Sequence, residues 1–282
     1  MPAPSVLMGA VAYDPKVVTI WEGFRAWLRG RGLDFDFVLY SHYERQVEDL
    51  VAGRIDAAWN SPLAWLRAER LAVANGTTVR ALTMRDTDQD LTSVVVVRAD
   101  SPAARQVTDL AGKVVAVGAV DSPQATLIPL GHLAAAGVEV DVRRFDVGVG
   151  LHGDHIGGER DAARALLAGE VDAACMIDAN HLAFIQEGTL PPEGTRIVAQ
   201  TAPYDHCNMT VREPESAGVQ LFGTLLLGMS YADAQVRPLL DLEGLTAWKD
   251  GRTTGYDALA GAVDATGFYS PDGRVTATDY RP

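Results

Sequence analysis

Residues 50–58 read LVAGRIDAA and residues 166–174 read LLAGEVDAA, one nine-residue unit repeated at an offset of 116 positions. Each copy has the apolar spacing of a helix's last turn, then a glycine suited to ending that helix, then a short apolar run that reads as a strand. Chance similarity between two helix–turn–strand units is one reading of this echo; two lobes of one architecture is the sharper one. As lobes, each is an open α/β sheet, and ligands of such sheets bind outside the carboxyl ends of the strands. Two facing lobes predict one cleft between them.

The flanking sequence carries the same alternation. SVLMGAVAY (5–13), FDFVLYS (35–41) and IDAAWNS (55–61) read as strands, and VVTIWEGFRAWLRGRG (17–32) and ERQVEDLVAGR (44–54) have helical spacing. Strands alternating with helices predict a parallel α/β sheet. TSVVVVRADSP (92–102) reads as a buried strand, after which the pattern restarts with VVAVGAV (114–120), a helix LIPLGHLAAAG (127–137) ended by Gly137, and VEVDVRRF (138–145). The polar tail beyond about Ala247 is expected to end in surface structure.

Composition limits the function. Lys and Arg number 24 against 37 Asp and Glu, a formal charge of −13, so the mean field repels nucleic acid and anionic lipid. No basic stripe offsets it, and neither nucleic acid nor membrane insertion is expected. No run reaches the ~18 apolar residues a transmembrane helix needs. Cys175 and Cys207 lie far apart in the sequence, and a chain of this length needs no disulfide. The first residues show neither a basic region nor an apolar core of export type, so, with Met1 as the natural start, a cytoplasmic protein is expected.

Four stretches taken together, AWNSPLAW (58–65), SVVVVRADSP (93–102), DLAGKVVAVGAVDSPQATLIPLGHLAAAG (109–137) and ALLAGEVDAACMID (165–178), resemble the phosphate/phosphite/phosphonate solute-binding proteins of ABC importers. The resemblance spans roughly residues 8 to 212. It implies a two-lobed, type II periplasmic-binding-protein-like α/β fold with the ligand cleft between lobes and two crossing segments. The lobes would be residues 1–93 plus 205–282, and residues 94–204. Closure on a small anionic ligand would be the central event.

Several residues could carry chemistry. Asp121-Ser122-Pro123-Gln124-Ala125-Thr126 follows a strand and opens a helix, so Ser122, Gln124 and Thr126 could cradle an oxyanion at the positive end of the helix; an ordinary N-cap by Ser122 or Asp121 with Pro123 at the first helical position reads equally from the residues. The resemblance, whose family uses Ser/Thr at this turn, favours the cradle. Asn60 and Ser61 stand at the corresponding strand end of the first lobe, either as opposing contacts or as a plain turn. Tyr13 follows the first strand and is a candidate ligand wall, whereas His42 after the second reads as structural. Asp178, with Asn180 and His181 beyond, would face the cleft mouth as a contact or a helix cap. Cys175 reads as core packing.

Two segments exceed what binding alone requires. In GLHGDHIGGE (150–159), His152, His155 and Glu159 combine imidazoles and carboxylate in a glycine-rich loop, suited to zinc, iron or manganese. The resembled family usually places a histidine, in a Gly-x-His-Asp context, near position 159; here Glu159-Arg160 stands there. In YDHCN (204–208), Asp205 could orient His206, and His206 could activate Cys207 or ligate metal, although neighbouring residues of an extended strand face opposite ways. These residues favour a cytoplasmic enzyme of solute-binding fold: His155, Glu159, Asp205, His206 and Cys207 would be catalytic, with a divalent metal on His152, His155 and His206, in a hydrolase or lyase. The alternatives are a non-catalytic importer component that meets an ABC permease, and a ligand sensor.

Overall fold

The computed structural model describes residues 4–101, 104–146 and 155–281. The chain runs β1 (Ser5–Val11), α1 (Lys16–Arg29), β2 (Asp34–Tyr40), α2 (Tyr43–Val51), β3 (Ala57–Asn60), α3 (Pro62–Ala74), β4 (Thr78–Arg85), β5 (Ser93–Arg98), β6 (Val114–Val117), α4 (Ile128–Ala135), β7 (Asp141–Arg144), α5 (His155–Leu167), β8 (Ala173–Ile177), α6 (Asp178–Gln186), β9 (Thr195–Gln200), β10 (Asn208–Glu213), α7 (Ala217–Leu227), α8 (Arg237–Glu243), β11 (Trp248–Asp250) and α9 (Asp257–Thr266). One sheet has the order β11-β4-β10-β3-β1-β2 and the other β7-β6-β8-β5-β9. This is the type II periplasmic-binding-protein architecture.

The repeat at 50–58 and 166–174 is structural. Gly53 and Gly169 both end a helix with positive φ, 71° and 73°, where any Cβ is strained. Three residues later the aspartates do the same job. Asp56 Oδ2 accepts the amide of Leu7 at 2.8 Å and Asp172 Oδ2 that of Val114 at 2.9 Å. Each side chain thus fixes the start of its β3-like strand beside the lobe's central strand.

The sheets are mixed, not purely parallel. β2-β1-β3 and β7-β6-β8 are parallel, as right-handed strand–helix–strand units must be. β10 is antiparallel to β3 and β4, and β5 to β8 and β9. The reason is the crossing: each of these strands arrives from the other lobe and enters its sheet at the cleft end, opposite to its neighbours. Between the lobes the crossings pair with each other, Leu91 and Tyr204 exchanging both backbone hydrogen bonds at 2.8 Å.

The valine run of β5 is buried on both faces. Val94 and Val96 pack with Ala162, Ala163 and Leu166 of α5, and Val95 and Val97 with Leu110, Leu133 and Cys175 on the other side, which is why it reads as continuous apolar sequence. Cys175 lies in this core, and burial pushes its thiol up to about 12. The tail departs from expectation. It supplies β11 and α9, and Tyr256, Phe268 and Tyr269 are buried against Trp65, Leu66 and Leu259.

Candidate functional site

A cavity of about 380 Å³ lies where the strands of the two sheets end, lined from the first lobe by Tyr13, Tyr43, Trp59, Ser61 and Arg85 and from the second by Pro123, Gln124, His155 and Asn180. Six helical segments begin at its wall: α1 at Lys16, α2 at Tyr43, α3 at Pro62, a π-helical turn at Pro123, α5 at His155 and α6 at Asp178, whose next two residues line the cavity. Strand-to-helix connections place helix starts at the carboxyl edge of a sheet, so two facing edges gather them. Each start brings the positive end of a helix dipole to the cavity wall, although the Arg45, Ala64, Ala125 and Ala179 amides are already taken by side chains.

The Asp121–Thr126 turn lies at the cavity, but its hydroxyls face inward. Ser122 Oγ accepts the amide of Ala125 at 3.1 Å as an N-cap, and Thr126 Oγ1 donates to the Ala119 carbonyl at 2.7 Å. Both are buried outside the lining. Gln124 does line it, and its buried Oε1 accepts no hydrogen bond among the described residues. Ser61 lines the cavity while capping α3 at Ala64. Asn60 points into the first lobe, accepting from Gln46 and donating to Thr210 Oγ1, both at 2.8 Å. Tyr13 stands on the cavity wall. Asp178 accepts from Thr92 Oγ1 at 2.7 Å and from the Ala179 amide, and does not reach the lining. His42 caps α2.

Both histidine-bearing segments reach the cavity. His155 lies at the cavity with Nε2 3.5 Å from Asp121 Oδ1, and His152 falls outside the described residues. Glu159 is fully buried; its Oε2 accepts the Ile177 amide at 3.0 Å and Asn180 Nδ2 at 2.8 Å, and burial raises its pKa. It acts on the cavity through Asn180, which it positions, and through the lining residues Gln124 and His155, which help stabilise its carboxylate. His206 and Cys207 both line the cavity, with Nδ1 and Sγ 3.1 Å apart, because the segment has not yet entered β10.

Asp205 does not orient His206. Its buried carboxylate takes Arg252 Nε and Nη2 at 2.7 and 2.6 Å. The partner of His206 is Asp88, Oδ1 lying 3.5 Å from Nδ1. Asp88 is also held by Arg85, at 2.5 and 2.9 Å, and Arg85 in turn reaches the Glu243 carboxylate at 3.4 Å. Burial works against charge on His206, yet Cys207 and Asp88 outweigh it and raise its pKa to about 10. Burial likewise opposes the Asp88 carboxylate, but Arg85 and His206 hold it down to about 2.

Among the described residues, the donor atoms of Asp88, His206 and Cys207 lie within 4.8 Å of one another. Arg85 already engages both Asp88 oxygens, so a cation there would need that arginine to move. Arg85, Asp88, Trp59, Tyr269 and Tyr280 escaped the sequence reading. The acid-rich RDTDQD at 85–90, directly before β5, was the one local signal for the first two.

The sequence model of the family described as "ABC transporter, phosphonate, periplasmic substrate-binding protein" matches residues 9–256. No curated protein matches the chain. Among solved structures, PhnD1 from Prochlorococcus marinus in complex with methylphosphonate is similar at a TM-score of 0.66, with 14% identity, over 94% of this chain and 98% of that one. A Xanthomonas citri protein bound to ATP is similar at 0.69, with 18% identity, over 93% and 98%. The binding protein component of an ABC phosphonate transporter from Pseudomonas aeruginosa is similar at 0.56, with 14% identity, over 88% and 82%. The family match supports the binding-protein alternative rather than a hydrolase or lyase, and the structural likenesses show the shared fold.

Proposed function

Because the chain belongs to the phosphonate substrate-binding family of ABC transporters, we propose that its cleft captures a small phosphonate-type oxyanion and presents it to a membrane permease. The observation that carries this is the convergence of helix starts on one cavity, notably Ser61–Ala64, Pro123–Gln124 and Ala179–Asn180. Backbone amides there suit an oxyanion without adding net charge, which fits a chain whose overall charge is −13. Gln124 Oε1 supplies an acceptor for the hydroxyl of a singly protonated oxyanion. Binding closes the lobes about the paired crossings at Leu91 and Tyr204.

Isothermal titration calorimetry with methylphosphonate, phosphite and phosphate tests the proposal. Saturable 1:1 binding of methylphosphonate is expected; no binding of any of the three overturns it. A second reading places a divalent cation on Asp88, His206 and Cys207, favoured by their close donor atoms. Metal analysis of the purified protein, with Arg85→Met beside it, tests that reading: metal on neither protein removes it.

A further inference from the structure

Resting on that reading, we propose that the ligand carries an aromatic body behind its oxyanion head, so that the cleft receives an aryl phosphonate or aryl phosphate ester in preference to the bare anion.

Size is the first argument. Methylphosphonate has about five heavy atoms, which at water's share of ~30 Å³ each fill roughly 150 Å³. The cavity measures about 380 Å³, within the range typical of organic-ligand pockets. Space for roughly eight more atoms of that size remains.

The lining says what fills the space. Beside the helix starts, the wall is built from Tyr13, Trp59, Leu63, Leu91, Ile156 and Ile177. Tyr13 and Ile156 come from opposite lobes and are 37% and 49% exposed, so two large apolar side chains face the cleft without burial. Closure over a hydrated inorganic anion would leave them wet or bury them against polar atoms. Closure over a flat apolar group removes their surface from water, a favourable change that scales with area.

Electrostatics points the same way. The deeper cations of the site, Arg85 and His206, are already compensated by Asp88 and Glu243. Held in those pairs, they have little charge to spare for a bare dianion, and Lys16 is the further cation in the lining. The helix starts orient the head, and contact with the aromatic wall supplies the remaining affinity.

Calorimetric titration of the full chain with methylphosphonate and phenylphosphonate tests the inference, with Tyr13→Ser and Ile156→Ser beside the wild type. Phenylphosphonate is expected to bind about tenfold tighter, the worth of one aromatic contact with its burial, and both substitutions should shrink that ratio towards one. Equal affinities, or tighter binding of methylphosphonate, overturn the aromatic inference while leaving oxyanion capture standing. Binding of neither compound overturns oxyanion capture and this inference with it.

Discussion

Asp205 and Arg252 form a two-bond ion pair, Nη2 to Oδ1 at 2.6 Å and Nε to Oδ2 at 2.7 Å, on a carboxylate whose side chain is fully buried. The same Oδ1 accepts the amide of Asp90 at 3.1 Å. One carboxylate therefore ties the return crossing to the outgoing one and both to the C-terminal region. The pair is a fastening of the hinge, and its removal should be felt as stability.

Arg252→Met leaves the Asp205 carboxylate buried and uncompensated, which costs roughly 3–5 kcal/mol. Urea denaturation is expected to show that loss, and Asp205→Asn on the Arg252→Met background should restore part of it. A loss below about 1 kcal/mol, the scale of an exposed pair, would contradict the hinge role.

The two lobe glycines should behave alike. An alanine at left-handed φ costs about 1–2 kcal/mol, so Gly53→Ala and Gly169→Ala should each lower stability by that amount. A Cβ at Gly53 would also lie 2.8 Å from Arg212 Nη1, whereas at Gly169 the nearest atom is Arg98 Nη1 at 3.5 Å. Both atoms are the far ends of flexible arginine side chains that can move aside, so chemical denaturation should give the two variants similar losses.

Much of this was legible because the signals are local. The echo at Gly53–Asp56 and Gly169–Asp172, the buried run Val94–Val97 and the helix ended by Gly137 each depend on a few consecutive residues. The antiparallel direction of β5 and β10 was not, since it arises from where the chain crosses. At the cavity, Tyr13, Ser61 and Gln124 are legible from their positions just after strands, and His155, His206 and Cys207 from the chemistry of their residue types in a glycine-rich loop and on the return crossing. Ser122 and Thr126 were misplaced because a capping hydroxyl and a ligand-facing one share the same sequence pattern. Tyr269 and Tyr280 reach the cavity through contacts with residues far away in sequence, such as Tyr280 with Glu44 at 2.9 Å, which no short window encodes.

Stability should fall as pH rises across the neutral range. The His206 pKa is raised to about 10 from an unfolded value near 6.5, so its contribution is complete below about 6.5 and is lost as pH climbs through 10. Glu243, which burial pushes up to about 7 against the pull of Arg85, has the same sign between about 4.5 and 7. Calorimetry should show Tm declining from pH 6.5 to 9.5 by at least about 2–4 °C, the equivalent of about 1 kcal/mol. His206→Gln should flatten that limb. A Tm that rises over this interval would contradict the pairing of His206 with Asp88 and Cys207.

Gln124 offers a charge test that hardly alters shape. Gln124→Glu places a carboxylate at the cavity wall beside the expected oxyanion, and methylphosphonate affinity should fall more than tenfold because like charges at contact repel. Gln124→Leu removes a hydrogen bond worth about 0.5–1.5 kcal/mol and should cost less. Unchanged affinity in the glutamate variant would place the anion elsewhere.

A crystal structure of the protein with methylphosphonate locates the phosphorus outright. The account predicts phosphonate oxygens within hydrogen-bonding distance of backbone amides at the starts of α3, the Pro123 turn and α6, between lobes drawn together. Phosphonate bound on the outer surface of one lobe, away from those amides, would contradict it.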